Sequence, residues 1–363
     1  MGIATLSKSS DQPRSPEAPA PRVSVVMAVF NGERYIHAAV RSVLDQDLRD
    51  LELIVVDDAS SDSSADIVAS FRDTRIVYSR NGENHGQTRS LNTGLRMARA
   101  PYVARMDADD EYLPGKLQAQ VDFMEANPDV AVCGTWAECV DEQGVPSGIF
   151  RPPATDRDVA FRLVWTSPIC HVSVLMRRDA VMDVGGYDEG YRYAADYRLW
   201  SELAMRGFRV VNIPRTLTRY RVFPGSFGAA SMLGDAGMES AQIIQENARV
   251  LGSVQLPVDD ARAIHLRAHP TWGDEGNRLT AYRSLKAIAG GVYRRVPARV
   301  RVELFAGFVW SIARGPVKAG TAHPRSLSER AGVILGRSMR AFGSDRLAGI
   351  KAAVTGLVRS KPT

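Results

Sequence analysis

Two groups of aspartates are spaced closely enough to act together chemically. One is the run Asp-Ala-Asp-Asp at 107–110, and the other is the pair Asp57 and Asp58. On an extended backbone, side chains two residues apart point the same way, so Asp107 and Asp109 would face one spot. Neighbouring carboxylates repel unless a cation lies between them, and hard oxygen ligands select Mg²⁺ or Mn²⁺. The run therefore indicates a metal site that substrate phosphates complete, with turn or helix-capping aspartates as the alternative.

The pair Asp57 and Asp58 allows two interpretations. A carboxylate accepts hydrogen bonds from N–H and hydroxyl groups, so the pair could contact a nucleobase or a ribose. An Asx-turn that ends a strand is the alternative. Neither the P-loop pattern GxxxxGK followed by Ser or Thr nor the dinucleotide pattern GxGxxG occurs in the sequence. This absence disfavours a P-loop ATPase and a dinucleotide-dependent dehydrogenase.

Strands must position these aspartates, because each group follows an apolar run rich in β-branched residues. Helical patterns of 10–15 residues separate the runs, which indicates βαβ units and a mostly parallel sheet. Ligands of such sheets bind outside the carboxyl ends of the strands, where both aspartate groups fall. The predicted strands are 23–29, 51–56, 75–78, 102–106, 130–135, 173–177 and 217–223. One predicted helix begins near 36, and the others cover 64–71, 88–98, 114–127 and 196–205.

The composition is that of a globular protein with a substantial core. The chain has 363 residues, of which 45% are hydrophobic and 24% are charged. Three cysteines without a CxxC pair exclude a disulfide scaffold and disfavour a cysteine zinc site, so we expect reduced thiols and a cytoplasmic location. No uncharged apolar run approaches the ~20 residues that cross a bilayer. The N-terminus also lacks the apolar segment of a signal peptide.

Charge divides the chain into parts. Residues 281–363 carry 16 lysines and arginines against 3 acidic residues, a balance of +13, whereas residues 1–280 have a balance of −8. We predict a disordered leader over 1–20, a first domain over 21–230 and a mostly helical, basic region over 231–363. Basic amphipathic helices suit an anionic membrane surface, and a helical subdomain with a solvated basic face is the alternative. Nucleic acid is not an expected partner, because no recognised binding motif occurs.

Several segments together resemble the family 2 inverting glycosyltransferases of GT-A fold. They are VSVVMAVFNGERYIHAAVRSVLDQDL, LIVVDDASSDSS, NHGQTRSLNTGL, MDADD, VGGYDE and ADYRLW, and they lie in this order within about 22–225. The resemblance implies the α/β class: a Rossmann-like, mostly parallel sheet flanked by helices. It also implies transfer of a sugar from a nucleotide diphospho-sugar to an acceptor hydroxyl, with inversion.

The resemblance assigns roles to individual residues by motif. It places Ala28 (through its backbone) and Phe30 in the nucleotide pocket, Asp58 at the base with Asp57 close by, Arg89 near the nucleotide, Asp107 near the ribose, Asp109 at an Mg²⁺ or Mn²⁺ ion, and Asp196 as the catalytic base. Leu199 follows the base as in the family motif. The residue before the base is usually acidic in the family, whereas this chain has Ala195 there.

This set of residues matches the chemistry of sugar transfer better than that of sugar hydrolysis. A positioned carboxylate that takes the proton from the attacking hydroxyl contributes about 10²–10⁴ in rate. The leaving nucleoside diphosphate needs a metal more than a proton. A glycosidase instead needs two working carboxylates, one of them an acid.

Four further residues have two possible roles each. His171 could contact the pyrophosphate or the acceptor, or it could be structural. Tyr187, in the sequence Gly-Gly-Tyr-Asp at 185–188, could shape an acceptor loop or stand in a plain turn. Trp165 and Trp200 could form a platform for a sugar ring, although core packing is the more common role.

The expected protein is a non-processive enzyme of bacterial surface polysaccharide synthesis. Processive family members carry Gln-x-x-Arg-Trp and membrane helices, whereas no Arg-Trp dipeptide occurs here. We expect a UDP-sugar donor, a glycan or lipid-linked acceptor, and a cytoplasmic location with peripheral contact to the membrane. A sugar nucleotidyltransferase and a catalytically silent adaptor of the same fold are the alternatives. The first would need a Gly-rich basic loop where the chain has Phe-Asn-Gly-Glu at 30–33.

Overall fold

The computed structural model describes residues 20–223, 235–251 and 253–266, with six further positions between 281 and 288. The expected leader over 1–20, except its last residue, lies outside the described residues. So do the basic amphipathic segments after 288. The domain boundaries near 20 and 230 therefore stay predictions.

Strands and helices alternate through the first half of the chain. The strands are β1 (Val23–Val29), β2 (Leu51–Asp57), β3 (Ile76–Arg80), β4 (Tyr102–Asp107), β5 (Glu111–Tyr112), β6 (Val130–Val140), β7 (Pro146–Phe150), β8 (Leu175–Arg177) and β9 (Arg209–Arg221). The helices are α1 (Ile36–Leu44), α2 (Ser64–Ser70), α3 (Gln87–Met97), α4 (Lys116–Ala126), α5 (Asp156–Leu163), α6 (Arg178–Asp183), α7 (Ala195–Met205), α8 (Asp235–Val250) and α9 (Val258–Leu266), with a 3₁₀ turn at His171–Ser173.

The nine strands of the described residues form one sheet in the order β3-β2-β1-β4-β8-β6-β9-β5, with β7 paired to β6. Neighbours from β3 to β4 are parallel, as the sequence pattern predicts. The other half is mixed, because β8 runs antiparallel to both β4 and β6 while β6 and β9 are parallel. The sheet as a whole is thus less parallel than expected.

Four predicted boundaries are wrong. The strand expected over 130–135 continues to Val140, and the strand expected from 217 begins at Arg209, because β6 and β9 pair along most of their lengths. That pairing joins segments about 80 residues apart, so no local pattern reveals it. The strand expected from 173 begins at Leu175, after the 3₁₀ turn. The helix expected from 114 begins at Lys116, because Gly115 has a left-handed φ of +77°.

Helices cover both faces of the sheet. Buried side chains of α1, α2 and α4 pack on one face, and those of α3, α5, α7 and α8 pack on the other. Successive residues of β1 alternate between the two cores, which explains why its sequence is a continuous apolar run.

Within the described part of the chain, the helices are too short or too polar to cross a membrane. All three cysteines there carry free thiols, as the sequence predicts.

Candidate active site

The sheet register brings the two aspartate groups to the same edge. Strand β1 lies between β2 and β4, with Val29 opposite Asp57 and Ala28 opposite Asp107. The backbone of Ala28 therefore lies between the two predicted carboxylate sites. This placement follows from strands that end together at the carboxyl edge of the sheet.

The side chains of Asp57 and Asp58 both turn into the protein. Asp57 is buried and accepts hydrogen bonds from the backbone N–H of Ser60 and from the Tyr78 hydroxyl. The Arg80 Nη1 lies 3.5 Å from the Asp57 Oδ2, the same oxygen that accepts from Tyr78. Asp57 therefore fixes the turn that follows β2.

Asp58 organises the loop before α3. Its carboxylate accepts from the Asn81 amide at 2.7 Å, the His85 N–H at 2.9 Å and the Gly86 N–H at 2.7 Å. Burial opposes ionisation of this group, but these hydrogen bonds outweigh burial and hold the pKa of Asp58 below its usual value. The expected contact of Asp58 with a nucleobase stays a prediction, and the structure adds a structural role.

Two loops interlock at the rim beside Asp58. The N–H groups at 31, 32 and 33 donate to the side chains of Ser60, Ser64 and Asp62, each at 2.9 Å. The preceding Phe30 is 52% exposed, so its ring is open to a ligand as its predicted role requires.

The cluster Asp107, Asp109 and Asp110 has the geometry of a cation site. One carboxylate oxygen of each residue lies within 4.8 Å of the others. Burial and the charge of Asp107 raise the pKa of Asp109 to about 6. Asp110 accepts from the Arg221 N–H at 2.7 Å, while its buried Oδ2 has no hydrogen-bond partner among the described residues. Crowded hard oxygens, one of them unsatisfied, fit a divalent cation such as Mg²⁺ or Mn²⁺.

Arg105 is a site residue that sequence reasoning missed. Its side chain is buried on the β4 face that also carries Asp107, and its Nη1 forms an ion pair with that carboxylate. Its positive charge partly offsets the rise in pKa that burial causes at Asp109, Asp110 and Asp196. A charged residue inside an apolar strand was the available signal, since a buried arginine needs a partner.

Asp196 lies in the first turn of α7, on the side of the sheet that faces Arg105. The surrounding protein removes water from this half-buried carboxylate and so raises its pKa above the ordinary aspartate value. The Ser167 hydroxyl donates to it at a long 3.4 Å. A carboxylate with few hydrogen bonds and a raised pKa suits a general base.

His171 and Tyr187 form a pair beside Asp196. The His171 Nε2 and the Tyr187 hydroxyl are 2.8 Å apart. Burial and the charge of Arg105 hold the pKa of His171 well below its usual value, so the ring is neutral at pH 7. The charge of Asp196 is one cause of the raised pKa of Tyr187, which places the two groups in the same pocket.

The possible role of Trp165 and Trp200 as a platform for a sugar ring is wrong. Trp200 is completely buried and Trp165 is 2% exposed, so neither ring can stack on a sugar. The spacing along α7 turns Trp200 into the core, where its ring meets His171 edge-on at 6.0 Å. An acceptor contact by Trp200 is therefore excluded in this structure.

Helix α3 holds the Gly-Gly-Tyr-Asp loop. The Asn92 side chain donates to the Tyr187 carbonyl at 2.8 Å and accepts from its N–H at 2.9 Å. Gly186 passes so close that a Cβ there would lie 2.8 Å from the Asn92 Oδ1. Arg89 pairs with Glu189 at 3.0 Å, so its expected approach to a nucleotide stays a prediction.

Comparison with known proteins identifies the class. Residues 24–185 match the family model described as glycosyl transferase family 2. The putative glycosyltransferase EpsE of Bacillus subtilis (strain 168) is 31% identical over 245 residues, which cover 66% of this chain and 85% of EpsE. The chain therefore belongs to glycosyltransferase family 2, and it is a transferase.

Two further comparisons support the fold and extend the set of relatives. The Escherichia coli protein named UDP-Glc:alpha-D-GlcNAc-diphosphoundecaprenol beta-1,3-glucosyltransferase WfaP is 28% identical over 207 residues, covering 57% of this chain and 80% of WfaP. The mannosyltransferase PcManGT from Pyrobaculum calidifontis, solved with GDP-Man and Mn²⁺, matches with a TM-score of 0.50 and 20% identity over 95% of this chain and 89% of its own. The predicted α/β GT-A fold is confirmed.

Proposed function

We propose that the protein is an inverting, metal-dependent, non-processive glycosyltransferase that moves a sugar from a nucleotide diphospho-sugar to an acceptor hydroxyl. One observation carries the proposal: the buried Arg105 guanidinium forms an ion pair with Asp107, and its charge also acts on Asp196. A donor bound at the strand ends and an acceptor activated by Asp196 would then meet within one pocket.

The residues divide the chemistry between them. Asp196 takes the proton from the acceptor hydroxyl as the new bond to the anomeric carbon forms and the bond to the diphosphate breaks. A single in-line displacement of this kind inverts the anomeric centre. Asp109 and Asp110, with Asp107, would hold the divalent cation, which when bound neutralises charge on the departing diphosphate.

The donor and acceptor are proposed by class. The name of WfaP specifies a UDP-glucose donor and an undecaprenol-linked acceptor, which supports a UDP-sugar and a lipid-linked glycan of surface polysaccharide synthesis for this chain. The structure with GDP-Man shows that a neighbour of this fold binds another nucleotide, so UDP is a preference to be tested. The +13 balance of residues 281–363 would suit an anionic membrane surface that carries such an acceptor.

Donor binding provides the first test. UDP-, GDP- and dTDP-sugars are screened by thermal unfolding with Mn²⁺ or with EDTA, since a donor at ~100 times its Kd stabilises by ~2.7 kcal/mol. We expect one nucleotide class to stabilise the protein only with Mn²⁺, and Asp109→Asn to remove that effect. The matched control is Asp179→Asn, an exposed aspartate on α6. Equal stabilisation with EDTA would reject the metal site.

Turnover of the selected donor tests the reaction class. The expected product is a glycoside whose anomeric configuration is opposite to that of the donor, as read by NMR, together with the nucleoside diphosphate. Retained configuration would reject direct displacement by an activated hydroxyl. Release of pyrophosphate from a nucleoside triphosphate and a sugar phosphate would instead identify a nucleotidyltransferase, and a silent adaptor would show neither reaction.

A further inference from the structure

Helix α7, which presents Asp196, begins without a cap of its own. Its first N–H groups have no acceptor within the helix, as at every helix start. The N-cap residue is Ala194, and within the described residues no N-cap side chain bonds to this end. Ala195 follows and likewise offers no acceptor. An uncapped end would let the backbone just before Asp196 fray.

A carboxylate from another helix instead holds the backbone that leads into α7. Glu239 of α8 accepts from the backbone N–H groups of Arg192, Tyr193 and Ala194 at 2.9, 2.8 and 2.9 Å. Three successive N–H groups that converge on one carboxylate form an anion-binding nest, and a charged acceptor strengthens each bond. The negative charge also lies at the positive end of the α7 dipole.

Helix α8 is anchored along α7, so Glu239 is held in place. Glu246 forms an ion pair with Arg198, and the buried Asn247 donates to the Ser201 hydroxyl at 2.9 Å. Asn247 also donates to the Leu163 carbonyl at 2.8 Å. The contacts occur in the same order along both helices, so later residues of α8 meet later residues of α7. A fixed α8 therefore imposes the position of the Glu239 carboxylate on the start of α7.

We propose that Glu239 is a positioning residue for Asp196, and that α8 is consequently part of the scaffold of the active site. The carboxylate fixes the backbone at 192–194, and that backbone sets where the Asp196 carboxylate lies relative to the acceptor hydroxyl. This inference rests on the proposed role of Asp196 as the base. Because a misplacement of about 1 Å can cost about 10²-fold in rate, a lost cap acts mainly on turnover.

Replacement of Glu239 with alanine tests the cap directly. Hydrogen exchange measured on the full chain should accelerate at Arg192–Ala194 by at least about 10-fold in Glu239→Ala, since three N–H groups lose their acceptor. The matched control is Gln242→Ala, at an exposed position of the same helix, which should leave exchange at these three positions unchanged. Unchanged exchange in Glu239→Ala would overturn the inference whether or not a donor has been identified.

Kinetics separate positioning from a general loss of structure. In Glu239→Ala, kcat should fall about 10- to 100-fold while the donor KM changes less than about 2-fold, and Gln242→Ala should keep both. Glu239→Asp, with a shorter carboxylate, should recover part of kcat. Parallel losses in kcat and donor KM would indicate a structural role only and would reject the inference.

A double-mutant cycle distinguishes failure of the inference from failure of the proposed function. If Glu239 acts through Asp196, adding Glu239→Ala to Asp196→Asn should lower residual turnover by less than about 2-fold. A further loss of 10-fold or more would overturn the inference. If Asp196→Asn alone keeps near-wild-type turnover, the base assignment itself is wrong, and both proposals fall for that separate reason.

Discussion

Asp58 and Asp196 are carboxylates on the two sides of one site, and their environments shift their pKa values in opposite directions. Around Asp58, two backbone N–H groups and an amide hold the charged form, and these bonds outweigh burial. Around Asp196, burial dominates over the groups that support the charge, which include the Tyr197 N–H, the Arg105 guanidinium and the Ser167 hydroxyl at 3.4 Å. The proposed donor side thus contains a carboxylate that favours its ionised form, and the proposed acceptor side contains one that gains a proton more readily.

The difference shows how one fold can separate binding from catalysis. A carboxylate saturated with hydrogen bonds is a poor base, because taking a proton would break those bonds. A carboxylate that is removed from water and accepts few hydrogen bonds is costly to ionise, so accepting a proton lowers its free energy. Paired titratable groups whose pKa values are driven apart are a recurring sign of acid and base assignment. The four predictions that follow test this comparison from its largest expected effect to its smallest.

Asp196→Asn should have the largest effect. Loss of the base lowers turnover by about 10²–10⁴ while nucleotide-sugar binding with Mn²⁺ is retained. Burial raises the pKa of Asp196, so the folded state favours the neutral carboxyl group. The folding stability that the neutral carboxyl contributes is lost as pH rises through the folded pKa. Asp196→Asn should therefore unfold at the same or a higher temperature than wild type at pH 7.

The pH profile checks the same point independently. In the wild type, kcat should fall on the acid side as Asp196 becomes protonated, at a pH above the ordinary aspartate range. The residual activity of Asp196→Asn should lack that acid limb, and Asp179→Asn should keep it. The profiles are measured at saturating Mn²⁺, because protonation of Asp109 would otherwise add an acid limb of its own. An acid limb that survives in Asp196→Asn under that condition belongs to another group and would reject Asp196 as its source.

Arg105→Met should have the next largest effect, because Arg105 connects the two sides. Removing one partner of a buried ion pair costs about 3–5 kcal/mol in unfolding free energy, here at the Asp107 carboxylate. The Arg105 charge lowers the pKa of Asp196, so its loss should also move the acid limb of kcat to higher pH. Urea unfolding and the pH profile measure these two effects.

Two further variants make the Arg105 result interpretable. Arg105→Lys keeps the charge and should leave the acid limb close to wild type even if it packs less well. Arg34→Met removes a 59% exposed arginine from a surface pair and should cost about 0–1 kcal/mol. If Arg105→Met and Arg34→Met cost the same, Arg105 does not link the two sides.

The donor side was more predictable from the sequence than the acceptor side. Asp57, Asp58 and the 107–110 run each follow directly on a strand, so local pattern and parallel-sheet topology together place them at one edge. Tyr187 and Glu239 are held by contacts between segments 45–95 residues apart, and although Arg105 pairs with the nearby Asp107, its effect on Asp196 also joins distant segments. Trp200 shows the same limit, since a residue type alone does not say which side of a helix faces the core.

Asp58→Asn should cost about 1–3 kcal/mol in unfolding free energy at pH 7, because an amide cannot accept from all the donors that meet this carboxylate. The lowered pKa of Asp58 means that its stabilisation is present above the unfolded pKa of about 3.9 and is lost as pH falls through the folded value. The difference between variant and wild type should therefore shrink below about pH 4. Asp47→Asn, at an exposed position, should show no difference at either pH.

Ala59→Gly should have the smallest effect, and it should stabilise the folded protein rather than destabilise it. Ala59 follows Asp58 with a left-handed φ of +64°, which costs a residue with a Cβ about 1–2 kcal/mol. Glycine removes that cost, but it loses more conformational entropy on folding, which offsets about 0.5–1 kcal/mol of the gain. We therefore expect the free energy of urea unfolding to rise by about 0.5–1 kcal/mol. Ala38→Gly, on the exposed face of α1, should instead lose about 1 kcal/mol. If Ala59→Gly stabilises the protein and leaves donor affinity unchanged, the hydrogen bonds of Asp58 set the shape of this rim. A weaker donor affinity would mean that residue 59 itself holds the rim in the strained form that the donor requires.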